Sequence, residues 1–259
     1  MDKLFSHLVL ARVLSKKSKK PSKGIEQASP APAKQKTKAS KKVSFGWGVM
    51  TFLAVMVSLV VSRYLTLNPE VYFPEQKLVY MAHITMLILH IVGAMLAILI
   101  GPFQFLDGMR TGRLLKVHRW LGRTYLIAVL VGGLAGLYMA QFSHGGMVSH
   151  LGFAALGVLW LYSGFMAYKH IRNKQIESHR EWMIRNYALT FAGVMLRLWM
   201  PIFMMAGINF TAGYIVIAWL CWVPNLLVAQ WIINRRRNRE SSLVESELSQ
   251  VSNRSQETA

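Results

Sequence analysis

The sequence predicts an all-α polytopic membrane protein with six transmembrane helices, spans two to five forming a central four-helix bundle. Three observations predict it. The chain is 53% hydrophobic and only 16% charged over 259 residues, a balance a soluble domain of that length rarely shows. Six apolar runs reach or approach the roughly 20 residues needed to cross a bilayer. Lys and Arg then cluster at every second connection, the pattern that orients a polytopic chain.

The runs are about Phe45–Tyr64, Val79–Leu106, Leu121–Phe142, His150–Tyr168, Trp182–Gly207 and Gly213–Ile233. Ahead of them, residues 1–42 hold twelve Lys/Arg against two acids. That stretch is rich in Lys, Pro, Ala and Ser without an apolar period, which predicts a disordered basic tail over 1–44. A weak amphipathic stretch, Leu4–Leu14, opens it. Further basic clusters fall at Arg110/Arg113/Lys116/Arg119/Arg123, at Lys169/Arg172/Lys174/Arg180/Arg185 and at Arg235–Arg237 with Arg239. The alternate connections are nearly bare, with no Lys or Arg in Ser143–Ser149 or Ile208–Tyr214.

The positive-inside rule therefore predicts that both termini are cytoplasmic. Residues 45–234 are the membrane domain and 235–259 a solvated cytoplasmic tail; a bacterial inner (plasma) membrane is the expected location. The net charge of +19 then belongs at the anionic leaflet, where each Lys or Arg contributes about 1 kcal/mol. Nucleic acid is not an expected partner. No cleavable signal peptide is apparent, because a long basic stretch precedes the first apolar run. The single cysteine, Cys221, excludes an intrachain disulfide and any CxxC motif.

Seven of the eight histidines lie in or beside spans two to five. The predicted topology puts His83 and His90 on the outer half of the second span, one helical face and seven residues apart. His144 and His150 flank the outer loop SHGGMVSH, whereas His118, His170 and His179 fall at the inner surface. An outer set on spans two and four and an inner set on spans three and five is thus available. Short connections favour antiparallel neighbours, as in a four-helix bundle.

The fifth span carries the most polar stripe: His179, Asn186, Thr190, Gly193 and Arg197 share one helical face. Lipid penalises such a stripe, so it should face the bundle interior. Arg197 matters most, since a cation at the centre of a membrane helix costs about 2.5–3.5 kcal/mol on the translocon scale. No acid occurs inside any span to meet it. A haem propionate, a quinone-like head group or a carbonyl cluster would serve; snorkelling to the interface is the bland alternative.

His118-Arg119-Trp120 and His179-Arg180-Glu181-Trp182 dress the starts of two helices alike. Basic residues beside Trp are ordinary interface anchors, yet two such histidines on facing helices, with arginines able to hold carboxylates, also suit a cofactor. Neutral imidazoles from two helices ligate haem iron axially, and bis-histidine ligation suits electron transfer. A macrocycle needs small neighbours, and Gly93, Gly101, Gly132, Gly133, Gly136, Gly157 and Gly164 lie on these spans. Close helix packing explains each of those glycines as well.

The segments HRWLGRTYL and SHREWMIRNYALTFAGVMLRLWMP resemble signatures of an uncharacterised prokaryotic membrane family, domain of unknown function 2306, over roughly Val79 to Ile233. That resemblance implies no activity. A second resemblance is architectural: cytochrome b561 proteins have six spans, with haem ligands on spans two and four and on spans three and five. The spacing of His90 to Arg110, the Lys116-Val-His118 start and the Ser149-His150 start are similar to that family. The resemblance implies haem b held by His90 and His150 outside and His118 and His179 inside, with Arg197 as a further cofactor contact. The chain departs from it in lacking His-Ser-Trp after the fourth-span start, in a glycine spacing one turn short, and in the shallow His150. His83 matches the depth of His150 better and is the alternative to His90.

Three readings follow. The first is a bis-histidine b-type electron-transfer protein with a redox partner or quinone. The second is a non-haem small transporter, proton-coupled through His90, Arg197 and the polar stripe. The third is a membrane scaffold or assembly protein. No broken-helix pair or inverted repeat is legible, and no hydrolase triad, metal-spaced motif or phosphate loop is present.

Overall fold

The computed structural model describes residues 45–257; the tail expected over 1–44 lies outside the described residues. Among the described residues there are helices and no strand. Six stretches are long and apolar enough to cross a membrane: Phe45–Thr66, Ile84–Gln104, Gly112–Ala140, Met147–Arg172, Ile176–Met205 and Phe210–Gln256. The six-span fold is as the apolar runs predict.

The first span is α1 (Phe45–Ser62), closed by a 3-10 turn over Arg63–Thr66. Asn68 caps the next turn by accepting from the Glu70 amide at 3.0 Å. The apolar run from Val79 is then two helices, α2 (Lys77–Ala82) and α3 (Ile84–Gln104), separated at His83. Next come α4 (Leu115–Ala140) and α5 (Met147–Arg172), joined by a turn in which Gly145 and Gly146 both take positive φ.

Spans two to five pack side by side in the order α3, α4, α5, α6, and α6 (Ile176–Thr190) closes the ring on α3. Glycine sets the closest approach. A Cβ on Gly93 would lie 2.7 Å from the Gly132 backbone, so α3 and α4 meet backbone to backbone, the small-residue packing membrane helices favour.

Pro102 lies inside α3 and has no N–H, which leaves the Ile98 carbonyl without its helical donor. The Tyr187 hydroxyl on α6 supplies one at 3.1 Å. The Trp47 indole on α1 donates to the Pro102 carbonyl at 2.9 Å, so one proline anchors two neighbouring spans.

The fifth and sixth spans each carry a short turn within one continuous helical stretch. The fifth span turns at Phe191, between α6 and α7 (Ala192–Met205); the sixth turns at Cys221–Trp222, between α8 (Phe210–Leu220) and α9 (Val223–Glu257). Asn225 stitches the two turns together, its amide donating to Ala188 O at 3.2 Å and to Cys221 O at 2.9 Å. The causes are side chains entering the backbone ladder. Thr190 bonds back to Asn186 O at 3.0 Å, a contact that bends helices, and Pro224 can give no amide to the turn before it.

Beyond the membrane stretch α9 continues to Glu257 as a helix, where the sequence reading expects a solvated tail. Arg237–Ser246 are exposed, with an Arg236–Glu240 pair at 2.8 Å supporting one turn. Arg236 and Arg237 also reach back to Glu177 and Glu181 at the start of α6.

Candidate functional site: a tyrosine-lined vestibule and a basic mouth

The polar stripe of the fifth span faces inward along much of its length, and it divides into three levels. At the middle level it is fully satisfied. Tyr125 on α4 donates to Asn186 Oδ1 at 2.7 Å, and Asn186 donates to Trp160 O and Ser163 Oγ on α5, both at 2.8 Å. Thr190 Oγ1 accepts from the Trp160 indole at 2.9 Å and sits 2.9 Å from the Tyr125 hydroxyl. Gly164 makes room, since a Cβ there would come within 3.4 Å of the Asn186 amide. This level ties three spans and leaves no donor free. Its role is structural.

Arg197 lies at one end of the stripe. Its side chain turns back along α7, where Nη1 donates to Gly193 O at 2.8 Å, and it does not snorkel outward. Around it, within electrostatic reach, are Tyr64 from the end of α1, Tyr80 on α2, His90 on α3, and Tyr214 and Cys221 from the sixth span. Five side chains from four stretches of the chain surround one guanidinium, and no carboxylate is among them.

Arg197, His90, Tyr80 and Tyr214 lie deep among protein atoms. Yet Arg197 Nε and Nη2, His90 Nε2 and the hydroxyls of Tyr64, Tyr80 and Tyr214 carry no hydrogen bond, and none is sealed against its surroundings. These polar atoms, enclosed and unbonded, gather around Arg197. Tyr64, the least enclosed of them, sits at their edge and stacks on Tyr72 at 5.4 Å. We call this donor-rich cluster the vestibule; it has one basic nitrogen, since His90 Nδ1 donates to Gly132 O at 2.8 Å, leaving Nε2 as the acceptor.

The other end is basic. His118 and His179 are each the fourth residue of their helix, α4 and α6, and lie within each other's electrostatic reach. His179 Nδ1 donates to Ala167 O at 2.8 Å, which leaves its Nε2 free. His118 makes no hydrogen bond, and its Nδ1 is buried without a partner. Arg110 and Arg119 lie within reach of His118, and Arg180 within reach of Arg110.

The remaining histidines have ordinary partners. His83 stacks on Phe142 at 4.1 Å and meets the Tyr138 hydroxyl. His144 bonds Thr211, His150 Nε2 bonds Ser143 O at 2.8 Å, and His170 bonds Gln175. His90 and His150 are thus turned to separate carbonyls on separate elements.

The glycine notches test the fit of a haem. Gly101 is covered by the Tyr187 ring, Gly133 by Leu161 at 2.6 Å from an added Cβ, and Gly136 by the His90 ring at 2.5 Å. Side chains fill the room a macrocycle would take between His90 and His150, so that pair does not fit one. His118 and His179 do present unbonded nitrogens, with arginines at hand for propionates. Among the described residues no cluster of three or more His, Cys, Asp or Glu is placed to hold a metal ion.

Sequence reasoning singled out His90, His118, His179 and Arg197, each of which lines one of these two regions. It missed Tyr64, Tyr80 and Tyr214, which come from a connection or from other spans; Arg110 it named for its spacing from His90. A family model described as "Predicted membrane protein (DUF2306)" matches residues 86–233. No curated protein and no solved structure matches the chain.

Proposed function

We propose that this chain, which belongs to the DUF2306 family of predicted membrane proteins, is a carrier for small carboxylates with an apolar or aromatic body, bound at Arg197. The observation that carries the reading is the unbonded guanidinium edge in a cluster with no acid. A carboxylate is the partner whose geometry matches such an edge. The ring faces of Tyr64, Tyr80 and Tyr214 offer an apolar body a place to lie while their hydroxyls donate to its head. His90 Nε2 accepts a proton from a ligand that arrives as the neutral acid, coupling loading to protonation.

The turns at Phe191 and at Cys221–Trp222 support transport over static binding. Interrupted helices at mid-membrane mark the substrate sites of many secondary transporters. Here α7 and α8 form a hairpin above both turns and carry Arg197 and Tyr214, so rocking it about Phe191 and Cys221 opens or closes the vestibule. The basic clusters of the sequence favour a cytoplasmic His118/His179 end, and on that topology the vestibule loads from the outer side.

The test is uptake of labelled benzoate into proteoliposomes of the full chain. Wild type is expected to accumulate benzoate faster than empty vesicles when the outside is acidic, with Arg197→Gln at the empty-vesicle rate. Uptake equal in wild type and Arg197→Gln would overturn the proposal.

A second reading rests on one observation, the free Nε2 of His179 facing the unpartnered His118. These two would supply the axial imidazoles of a haem b, with Arg110, Arg119 and Arg180 meeting its propionates and a quinone in the Arg197 vestibule. Such a group carries single electrons across the membrane. Split α and β bands in the dithionite-reduced protein, lost in His118→Ala, would favour it; a colourless preparation from haem-replete cells would remove it.

A further inference from the structure

The basic end contains a set of unmet polar atoms that the carrier reading does not use, and a phosphate there competes with the haem reading for Arg110, His118 and Arg180. Gln104 closes α3 and is 7% exposed, yet its side chain makes no hydrogen bond and its Nε2 is sealed. Arg110, in the following 3-10 turn, spends Nη2 on Phe105 O and on Asp107, both at 2.8 Å, while its Nε is also sealed without an acceptor. His118 Nδ1 is the third such atom.

All three belong to one place. Arg110 bonds the carbonyl of the residue after Gln104. Gln104 Oε1 lies 3.4 Å from the position of a Cβ on Gly122, one turn along α4 from His118. His118 is in turn within reach of Arg110.

A buried donor left unmet costs free energy, and three in one place call for a shared acceptor. The acids nearby cannot serve. Asp107 is taken by Arg110, and Glu177 and Glu181 are drawn off by Arg236 and Arg237 of α9. Arg180, which forms no hydrogen bond or ion pair, adds a further cation. The missing group is therefore anionic, has several acceptor oxygens and comes from outside the described residues.

We infer that Gln104, Arg110, His118 and Arg180 form a binding site for a phosphate group at the basic end of the bundle. A phosphate offers acceptors in several directions at once, whereas a carboxylate satisfies a single fork. Basic pockets between membrane helices recognise anionic lipid head groups in this way. The group arrives either on a lipid of the adjacent leaflet or on a soluble phosphate.

The test is thermal unfolding of the full chain in neutral detergent, titrated with phosphatidylglycerol, phosphatidylcholine or inorganic phosphate. Phosphatidylglycerol or phosphate is expected to raise the midpoint where phosphatidylcholine does not. A response to phosphatidylglycerol alone assigns the site to a lipid, and an equal response to inorganic phosphate assigns it to a soluble compound. Gln104→Leu carries the argument: it removes a sealed donor, so the midpoint without ligand should hold or rise, while the half-saturating concentration rises at least ten-fold. His118→Leu should weaken binding similarly, and Arg172→Gln, an exposed arginine at the same end, should not. No response beyond phosphatidylcholine overturns the inference, as does an equal loss in Arg172→Gln. If Gln104→Leu fails to fold, Gln104→Met takes its place in the same comparison.

Discussion

The Tyr125 hydroxyl donates to Asn186 Oδ1 at 2.7 Å, joining α4 and α6 across the diagonal of the bundle. Sixty-one residues separate the two positions. The same offset relates His118 to His179 one level toward the basic end. The two helices run in the same direction, so one hydrogen bond sets the register of a ladder of facing positions. It also sets their spacing, a phenol plus an amide apart, and the two histidines face each other across it.

Removing that bond should cost little more than the bond itself. Tyr125→Phe leaves the Asn186 carbonyl unmet in a buried site, at about 1–2 kcal/mol. Asn186→Leu removes three side-chain contacts and leaves the Tyr125 hydroxyl with Thr190 alone, so it should cost more. Thermal unfolding in detergent ranks the two, and the opposite order would mean the network is peripheral to stability.

The glycines separate sharply by what a side chain would meet. Gly93→Ala drives a methyl into the Gly132 backbone and should lower the unfolding midpoint clearly, because backbone cannot step aside. Gly157→Ala meets Leu137 at an ordinary 3.5 Å and should be neutral or mildly stabilising, since alanine restricts the unfolded chain. Both glycines lie in apolar helical runs and look equivalent in the sequence. Equal effects would refute the packing described between α3 and α4.

Pro102 and Tyr187 should be coupled. Tyr187→Phe removes the donor to the Ile98 carbonyl, at about 1 kcal/mol. In a Pro102→Ala background the restored N–H supplies that carbonyl, and the same substitution should then cost close to nothing. A double-mutant cycle by chemical unfolding measures the difference; additive effects would show that the proline leaves no orphan.

Asn225 should hold the two turns together. Asn225→Leu frees Ala188 O and Cys221 O, and hydrogen exchange should quicken around 188–195 and 219–226 while the middle of α4 stays protected. Uniform quickening throughout the bundle would point to general loosening instead.

Composition and charge carry most of the fold. The apolar runs and the alternation of basic connections suffice for six spans, because hydropathy and the positive-inside rule act over tens of residues and tolerate local error. The turns within the last two spans were not legible for a physical reason. The turn at Phe191 owes nothing to a proline or glycine at that position; it follows from Thr190 and Asn225 reaching backbone carbonyls, which needs the packed structure.

The site was legible in part. Arg197 declares itself as a charge inside an apolar run, and His118 and His179 by their shared dressing. The tyrosines around Arg197 do not, since tyrosine near the end of a span reads as an interface anchor until the fold brings Tyr64, Tyr80 and Tyr214 together. His90 is the instructive case: its position suggests an axial ligand, but Gly136 gives its ring a seat and Gly132 O holds its Nδ1.

The most direct test of the account sits on Arg197 and reads two signs at once. A buried cation with a single carbonyl partner is a burden on the ligand-free protein, so Arg197→Leu should leave the unfolding midpoint equal or higher without ligand. Saturating benzoate should raise the midpoint of wild type and leave that of Arg197→Leu unmoved. A lower midpoint in the ligand-free variant, together with an undiminished response to benzoate, would contradict the claim that Arg197 is held in place for a carboxylate.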